Sequence, residues 1–128
     1  MADTEKITFN ISVVDLGQID LLVDEGFYSS RTDFIRTAVR NRLSVHRAEL
    51  EQVVTRKSYV LGVLTYNRAS LEKVLAEDQM LDVRVVGLLH IANDVDPGLA
   101  LQAIHSIKLQ GVMKAKDSVK EALQERML

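Results

Sequence analysis

The sequence predicts an α+β protein of two units, a small strand-helix-helix unit followed by a mixed unit of strands and helices. Its length of 128 residues suits one compact domain or two small ones. Residues 6–11 alternate apolar and polar side chains, which is typical of a half-buried strand, and apolar positions then recur at helical spacing to about residue 52. Short apolar runs mark residues 58–128. We therefore expect a first domain at 1–52, a connector at 53–57 and a second domain at 58–128.

The composition excludes several classes of protein. Because the chain has no cysteine, it has no disulfide scaffold, thiolate metal site or cysteine nucleophile. No apolar run approaches the ~18 residues of a membrane span, and no apolar signal core is present, so we expect a soluble, cytoplasmic protein with no membrane partner. The formal net charge is −2. Binding to nucleic acid would therefore depend on a local basic stripe, and Arg31 to Lys57 holds seven Lys and Arg against three Asp and Glu.

The predicted strand at 6–11 needs a partner from outside its own unit. A lone strand leaves its backbone N–H and C=O groups unpaired, and a few apolar side chains cannot form a core alone. A twofold dimer solves both problems, because the strand can pair antiparallel with its copy. The other face would then be an outward ribbon of the size that fits the DNA major groove. The inward side chains are Ile7, Phe9 and Ile11, and the outward ones are Lys6, Thr8 and Asn10.

Two helices follow the predicted strand. Ser12 with Asp15 predicts the start of the first helix, and Gly26 predicts its end. Ser29 or Ser30 would cap the second helix, which we expect to run to about residue 52. Its apolar positions are Phe34, Ile35, Ala38, Val39 and Leu43.

Residues 5–47 resemble the ribbon-helix-helix family of DNA-binding regulators, the MetJ/Arc/CopG group. The resemblance is carried by Lys-Ile-Thr-Phe-Asn-Ile at 6–11 and by Gly-Phe-Tyr-Ser-Ser-Arg-Thr-Asp-Phe-Ile-Arg-Thr-Ala-Val at 26–39. It implies an intertwined homodimer bound to double-stranded DNA. The start of the second helix would dock on phosphates, as helix N-termini bind anions. The resemblance implies base contacts by Lys6, Thr8 and Asn10 and phosphate contacts by Ser29, Ser30 and Arg31.

The second unit reads as alternating strands and helices with one ambiguous segment. Asp96-Pro97 could start a helix, but residues 99–109 also fit a strand with Leu99, Leu101 and Leu109 on one face. We favour the strand, joined to the preceding one as a hairpin and ended by Gly111. The other expected elements are a strand at 58–66, a helix at 68–77, a strand at 83–92, a turn at 93–98 and a helix at 114–126.

This order resembles the ACT-like domain of the nickel-responsive repressors, a small ferredoxin-like α/β sandwich. The likeness lies in Asp82-Val-Arg-Val85, in Leu88 and Asn93, and in Lys108-Leu-Gln-Gly111. The metal ligands of that family are replaced here by Leu89, Ile91 and Pro97, so we expect no metal site and no cofactor. The domain would oligomerise the protein, giving a homotetramer, or sense an unidentified small-molecule effector, and the sequence leaves both roles open.

The sequence thus predicts a sequence-specific DNA-binding transcriptional regulator, and we favour a repressor over an activator. It contains no nucleophile elbow, phosphate loop or metal-hydrolase motif, so we expect no enzyme. Two alternatives stay open. One is an antitoxin that autoregulates and binds a toxin, and the other is a self-association scaffold that binds no DNA.

Overall fold

A computed structural model describes residues 4–128 and divides them into two compact units, Thr4–Val53 and Val54–Leu128. Residues 1–3 of the expected first domain lie outside the described residues. The division falls at the start of the expected connector, 53–57. Both units contain helical residues, and the sheet lies wholly in the second unit.

The first helix of the N-terminal unit begins and ends where the sequence predicts. Helix α1 spans Val13–Asp24, and the Ser12 hydroxyl accepts a hydrogen bond from the Val14 N–H at 3.3 Å. Gly26 follows the helix with φ +85°, a conformation that glycine adopts without strain. The N–H groups of Gly26 and Phe27 donate hydrogen bonds to carbonyl oxygens in the last turn of α1, which have no partner within the helix itself.

The second helix is interrupted, which corrects the expected single helix to residue 52. Helix α2 spans Arg31–Val45, and helix α3 spans Arg47–Arg56. His46 separates them, because its N–H donates to the Leu43 carbonyl while its own carbonyl accepts from the Leu50 N–H. His46 therefore ends one helix and starts the next. Helix α3 also continues through most of the segment expected to be a connector.

The C-terminal unit alternates strands and helices, and its three strands are parallel. The sheet order is β1-β2-β3, with Gly62 level with Gly87 and Gly87 level with Gly111. A short 3-10 turn, Gln124–Arg126, follows the last helix. The elements are β1 Val60–Tyr66, α4 Arg68–Ala76, β2 Leu81–Ile91, α5 Pro97–Ala103, β3 Ile104–Lys114 and α6 Asp117–Leu123.

Three expectations for this unit are wrong. Residues 99–103 are helical, because the Asp96 carboxylate accepts from the Leu99 N–H at 2.8 Å and Pro97 occupies the first helical turn. The hairpin between the second and third strands does not exist, since a helix crosses over between two parallel strands. Gly111 does not end β3, which continues to Lys114. Without the antiparallel hairpin, residues 58–128 do not form the ferredoxin-like sandwich of the ACT-like domains.

The helices cover one face of the sheet and enclose the core. Helix α5 packs against both α4 and α6. Alternate residues of β2 point into this layer and are buried, since side chains on a strand alternate between its two faces. The face without helices, called the uncovered face, carries an apolar row in register, Val63, Leu88 and Val112, in which Leu88 is buried and Val63 is 58% exposed. Among the largest fully buried side chains are Leu71, Leu89, Ile91, Ile104, Ile107 and Leu123.

A row of glycines crosses the sheet, with one glycine on each strand. Gly62, Gly87 and Gly111 lie side by side with φ of +128°, +132° and +130°. A Cβ atom on Gly87 would lie 2.2 Å from the Gly62 carbonyl oxygen, and one on Gly111 would lie 2.0 Å from the Gly87 carbonyl oxygen. Only glycine fits the second and third positions of this row.

Candidate nucleic-acid interface

The segment that the sequence predicts as a strand, residues 6–11, has no strand partner among residues 4–128. It belongs to neither a helix nor a sheet, and all of its residues are exposed. The apolar side chains of Ile7 and Phe9 are 78% and 57% exposed. A strand requires a ladder partner, and residues 4–128 supply none to this segment.

The N-terminal unit has almost no core of its own. Between residues 4 and 53, Ile19 is the one buried hydrophobic residue, with 6% of its surface exposed. An open apolar hollow of about 340 Å³ lies beside it. The helix α2 positions Val39 and Leu43, expected to face a core, are 53% and 55% exposed. The hollow is lined by Ile7, Thr8, Phe9, Ile11, Leu16, Ile19, Arg31 and Ile35.

The polar positions of the predicted ribbon are only partly separated from these apolar ones. Lys6, Thr8 and Asn10 are exposed, and no hydrogen bond or ion pair joins their side chains to any other residue from 4 to 128. Thr8 lines the same hollow as Arg31, so the structure brings one predicted base-contacting residue near one predicted phosphate-contacting residue. It does not place Lys6 or Asn10 in that hollow.

Helix α2 begins with a local network of hydrogen bonds. The Ser30 hydroxyl accepts from the Asp33 N–H at 3.0 Å, which confirms Ser30 as the cap. The Asp33 carboxylate accepts from the Ser29 N–H, also at 3.0 Å. The N–H groups of Arg31 and Thr32 donate to no carbonyl or side chain within the described chain. These two amides therefore face outward at the positive end of the helix dipole, where anions are stabilised.

Arg31 is engaged by a carboxylate that sequence reasoning did not pair with it. Its Nε and Nη2 atoms donate to Asp20 Oδ1 and Oδ2 at 2.7 and 2.8 Å, a two-pronged contact. The hydrogen bond from Arg31 lowers the pKa of Asp20, and the same bond raises the pKa of Arg31. Both side chains remain about half exposed. The pair connects α1 with the start of α2 and places an acid beside the predicted phosphate contact.

Further cations lie along α2 and α3 that the site prediction did not include. They are exposed and form no ion pair with any residue of the described chain. An excess of Lys and Arg over residues 31–57 is the sequence signal for them, although it does not identify which residues would face DNA. The cations are Arg36, Arg40, Arg42, Arg47 and Arg56.

A Ser, Asp and His cluster in the second unit does not have the geometry of a catalytic triad. Asp82 Oδ1 accepts from the Ser106 hydroxyl at 2.7 Å and lies 2.9 Å from His105 Nδ1. Serine and histidine thus share one carboxylate oxygen, whereas a triad needs the histidine between the serine and the acid. The hydrogen bond from Ser106, and then that with His105, lowers the pKa of Asp82.

The histidines do not assemble a metal site in the part of the chain that the structure describes. His46 Nδ1 lies 2.5 Å from Glu49 Oε2, and His105 pairs with Asp82. No group of three His, Cys, Asp or Glu side chains among residues 4–128 is arranged to hold a metal ion. No helix within the same range has the length and apolar character needed to span a membrane.

Comparison with known proteins gives one match to a family and one to an individual protein. Residues 2–120 match the Ribbon-Helix-Helix transcriptional regulator family. An uncharacterised protein of Methanocaldococcus jannaschii is 48% identical over 40 residues, which make up 31% of this chain and 41% of that protein. No solved structure is significantly similar. Because the family match extends over most of the sequence, the chain belongs to the Ribbon-Helix-Helix transcriptional regulator family.

Proposed function

We propose that this member of a transcriptional regulator family is a homodimeric, sequence-specific DNA-binding protein, acting as a repressor. The observation that carries the proposal is that the N-terminal unit lacks a partner strand and has little hydrophobic core. It leaves one apolar-and-polar segment without a strand partner and buries only Ile19 among its large hydrophobic side chains. A second copy of the same unit supplies both missing parts, a partner strand and an apolar surface.

In the dimer, the two copies of residues 6–11 pair antiparallel over the four helices α1 and α2. Ile7, Phe9 and Ile11 then leave water, because they face the hollow beside Ile19. Burying apolar area at about 25 cal/mol per Å² is the main free-energy gain of such a pairing. Alternation then places the intervening side chains on the opposite, outer face.

The outer face of the ribbon reads bases in the major groove. A two-stranded ribbon fits that groove, and each copy contributes Lys6, Thr8 and Asn10. An asparagine amide pairs with adenine through two hydrogen bonds, and lysine donates to guanine acceptors. Since Lys6 is the one cation of the ribbon segment, we expect the remaining charge neutralisation to come from the helices.

The start of α2 holds a phosphate and fixes the register of the ribbon on DNA. The outward N–H groups of Arg31 and Thr32 donate to the phosphate, the hydroxyls of Ser29 and Ser30 flank it, and the Arg31 guanidinium lies beside the site. These contacts carry no sequence information themselves, but they position the residues that do. The twofold axis of the dimer predicts an operator with two related half-sites.

The test is a fluorescence-anisotropy titration against promoter DNA of the protein's own gene and of its neighbours. Asn10→Ala is expected to relax sequence preference at a cost of about 1–3 kcal/mol, as for the loss of one base contact. Gln102→Ala removes an exposed amide from α5 in the other unit and is the matched control, with unchanged binding expected. Equal binding by Asn10→Ala and the wild type at every sequence would contradict the assigned role of Asn10.

Arg31→Ala tests the phosphate contact separately. It is expected to weaken binding to all sequences alike, and Lys116→Ala, which removes an exposed cation from the second unit, is its control. A protein that binds no DNA at any salt concentration, yet dimerises, would instead be a self-association scaffold. The folded sheet of the second unit does not favour the antitoxin, whose toxin-binding segment is typically disordered until bound.

A further inference from the structure

One edge of the C-terminal sheet is unpaired along strand β1. The Tyr66 carbonyl accepts from the Ala92 N–H at 2.9 Å, so the backbone of Tyr66 points towards β2. Backbone direction alternates along a strand, which turns the N–H and C=O groups of Leu61, Val63 and Thr65 away from the sheet. Within residues 4–128 these outward groups have no hydrogen-bond partner.

Nothing in β1 protects this edge. Proteins usually block an exposed edge strand with lysine, proline, a bulge or a covering segment. The sequence of β1, Val-Leu-Gly-Val-Leu-Thr-Tyr, has no charged residue and no proline. Leu61 and Val63 are 67% and 58% exposed.

The opposite edge of the same sheet is protected. Strand β3 carries Lys108 and Lys114, and the C-terminal residues lie against its outer side. The Leu128 N–H donates to the Ile107 carbonyl at 2.8 Å, and Met127 forms a bridge with Ile107. The two edges of the sheet therefore differ, and β1 is the one open to a further strand.

The geometry points to a second copy of this chain as the occupant, with β1 pairing antiparallel to its own copy about a twofold axis at Val63. This register places Val63 opposite Val63 of the second copy and Leu61 opposite Thr65 of the second copy. All outward groups then find partners, in about six backbone hydrogen bonds from three residue pairs. A shift of two residues leaves some of these groups unpaired, and a shift of one sets outward groups against inward ones.

The side chains of β1 are compatible with its own copy. Because β1 carries no charged residue, pairing with its own copy brings no like charges opposite each other. The apolar row of Val63, Leu88 and Val112 on the uncovered face continues into the same row of the second copy. The product is a six-stranded sheet with all of its helices on one face.

This pairing deepens the proposed function without depending on DNA contacts. It joins C-terminal units, whereas the ribbon joins N-terminal units, so the two contacts together produce a closed dimer or a tetramer with two ribbons. If the N-terminal dimer exists, it also holds C-terminal units near each other and raises their effective concentration.

Cysteine cross-linking of the full chain tests the axis directly, because the natural sequence contains no cysteine. In the proposed register the two Val63 Cα atoms are about 5.5 Å apart, within the range that a disulfide spans. Val63→Cys is expected to form covalent dimers under mild oxidation at least tenfold faster than Gln110→Cys, which lies on the other edge strand. Rates that are equal, or faster for Gln110→Cys, would overturn the pairing.

Light scattering of the full chain provides the second measurement. Val63→Lys puts a charge on the open edge and is expected to lower the assembled mass or raise its dissociation constant at least tenfold. Gln110→Lys adds the same charge to an exposed position on β3 and is expected to change neither. Far-ultraviolet circular dichroism verifies that both variants fold, and if Val63→Lys does not, the cross-linking rates decide.

The DNA-binding proposal and the edge-pairing proposal can be refuted independently of each other. Selective cross-linking at Val63 without any DNA binding would remove the DNA-binding proposal and leave the edge pairing in place. Specific DNA binding with no selective cross-linking would do the reverse. A folded Val63→Lys variant in which both the assembled mass and its dissociation constant are unchanged would also overturn the edge pairing.

Discussion

Replacing Gly87 by alanine should be among the most damaging small substitutions in this protein. Gly87 lies in the central strand, and an added Cβ would be 2.2 Å from the Gly62 carbonyl oxygen. Real Cβ atoms stay at least 3.0 Å from such atoms, so a backbone must move by roughly 0.8 Å. The atom in the way belongs to a neighbouring strand and not to a flexible side chain, which makes the movement costly.

Two contributions set the size of the effect. Forcing alanine into a φ of +132° costs about 1–3 kcal/mol of backbone strain. Overpacking costs about another 1–3 kcal/mol. Their sum, about 2–6 kcal/mol, is comparable with the entire stability of many small domains, about 5–15 kcal/mol.

The other glycines provide graded controls. Gly62→Ala has a similar φ of +128° but its Cβ meets no atom within 4 Å, so it should show the strain contribution alone, about 1–3 kcal/mol. Gly17→Ala lies in helix α1 with open space around its Cβ and should stabilise that helix by about 0.5–1 kcal/mol. The assay is urea denaturation followed by circular dichroism. If Gly87→Ala and Gly62→Ala were equally destabilising, the steric part of the reasoning would be refuted.

Three further predictions concern charge, pH and assembly. Asp20→Asn removes the acid that holds Arg31 and should strengthen DNA binding in the anisotropy titration. A weaker affinity would show instead that Asp20 positions Arg31 for DNA, and an unchanged affinity would show that the pair does not compete with DNA. Acid should destabilise the second unit through Asp82, because the pKa of this carboxyl is lowered in the folded state. Its contribution to the free energy of unfolding is fully present above the unfolded pKa of about 3.9. That contribution is lost as the pH falls through the lower pKa of the folded state. The wild type should therefore lose more stability than Asp82→Asn in urea titrations below about pH 4, and parallel losses would contradict this. Phe9→Asp should abolish the N-terminal dimer in sedimentation experiments because it puts a charge on the face that the copies share, and a variant that dimerises and binds DNA as the wild type does would contradict the ribbon.

Local signals in the sequence identified the helix boundaries well where a capping residue fixes them. A capping residue bonds only to the turn beside it, so its effect can be predicted without knowledge of the tertiary structure. Here the capping and terminating residues are Ser12, Ser30 and Gly26. The interruption at His46 escaped prediction because neither glycine nor proline marks it. Helix periodicity simply continues on either side of His46.

The error in the second unit came from one ambiguous segment with a large consequence. Leu99, Leu101 and Leu109 fit the spacing of a strand, and Asp96-Pro97 fits the start of a helix. Tertiary packing decides for the helix at Pro97–Ala103, where Ala100 and Ala103 are fully buried. That choice changes a hairpin into a crossover, and with it changes the sheet from antiparallel to parallel.

The exposure of the side chains proposed to contact DNA bases agrees with the sequence pattern, but the contacts around Arg31 were not predictable. Alternation along residues 6–11 separates the polar residues from the apolar ones, and the structure leaves both sets exposed. The pairing of Arg31 with Asp20 joins two helices and has no local signature. Sequence patterns therefore indicate which side chains are available for DNA, whereas the electrostatic competition for Arg31 emerges only from the fold.

The small core of the N-terminal unit couples its stability to its function. A unit in which Ile19 is the one buried hydrophobic residue cannot offset the conformational entropy lost on ordering about fifty residues. Dimerisation supplies the missing apolar burial in the proposed arrangement, so the ordered ribbon exists only in the dimer. Folding, ribbon formation and DNA binding should then share one dependence on protein concentration, because each requires the second copy.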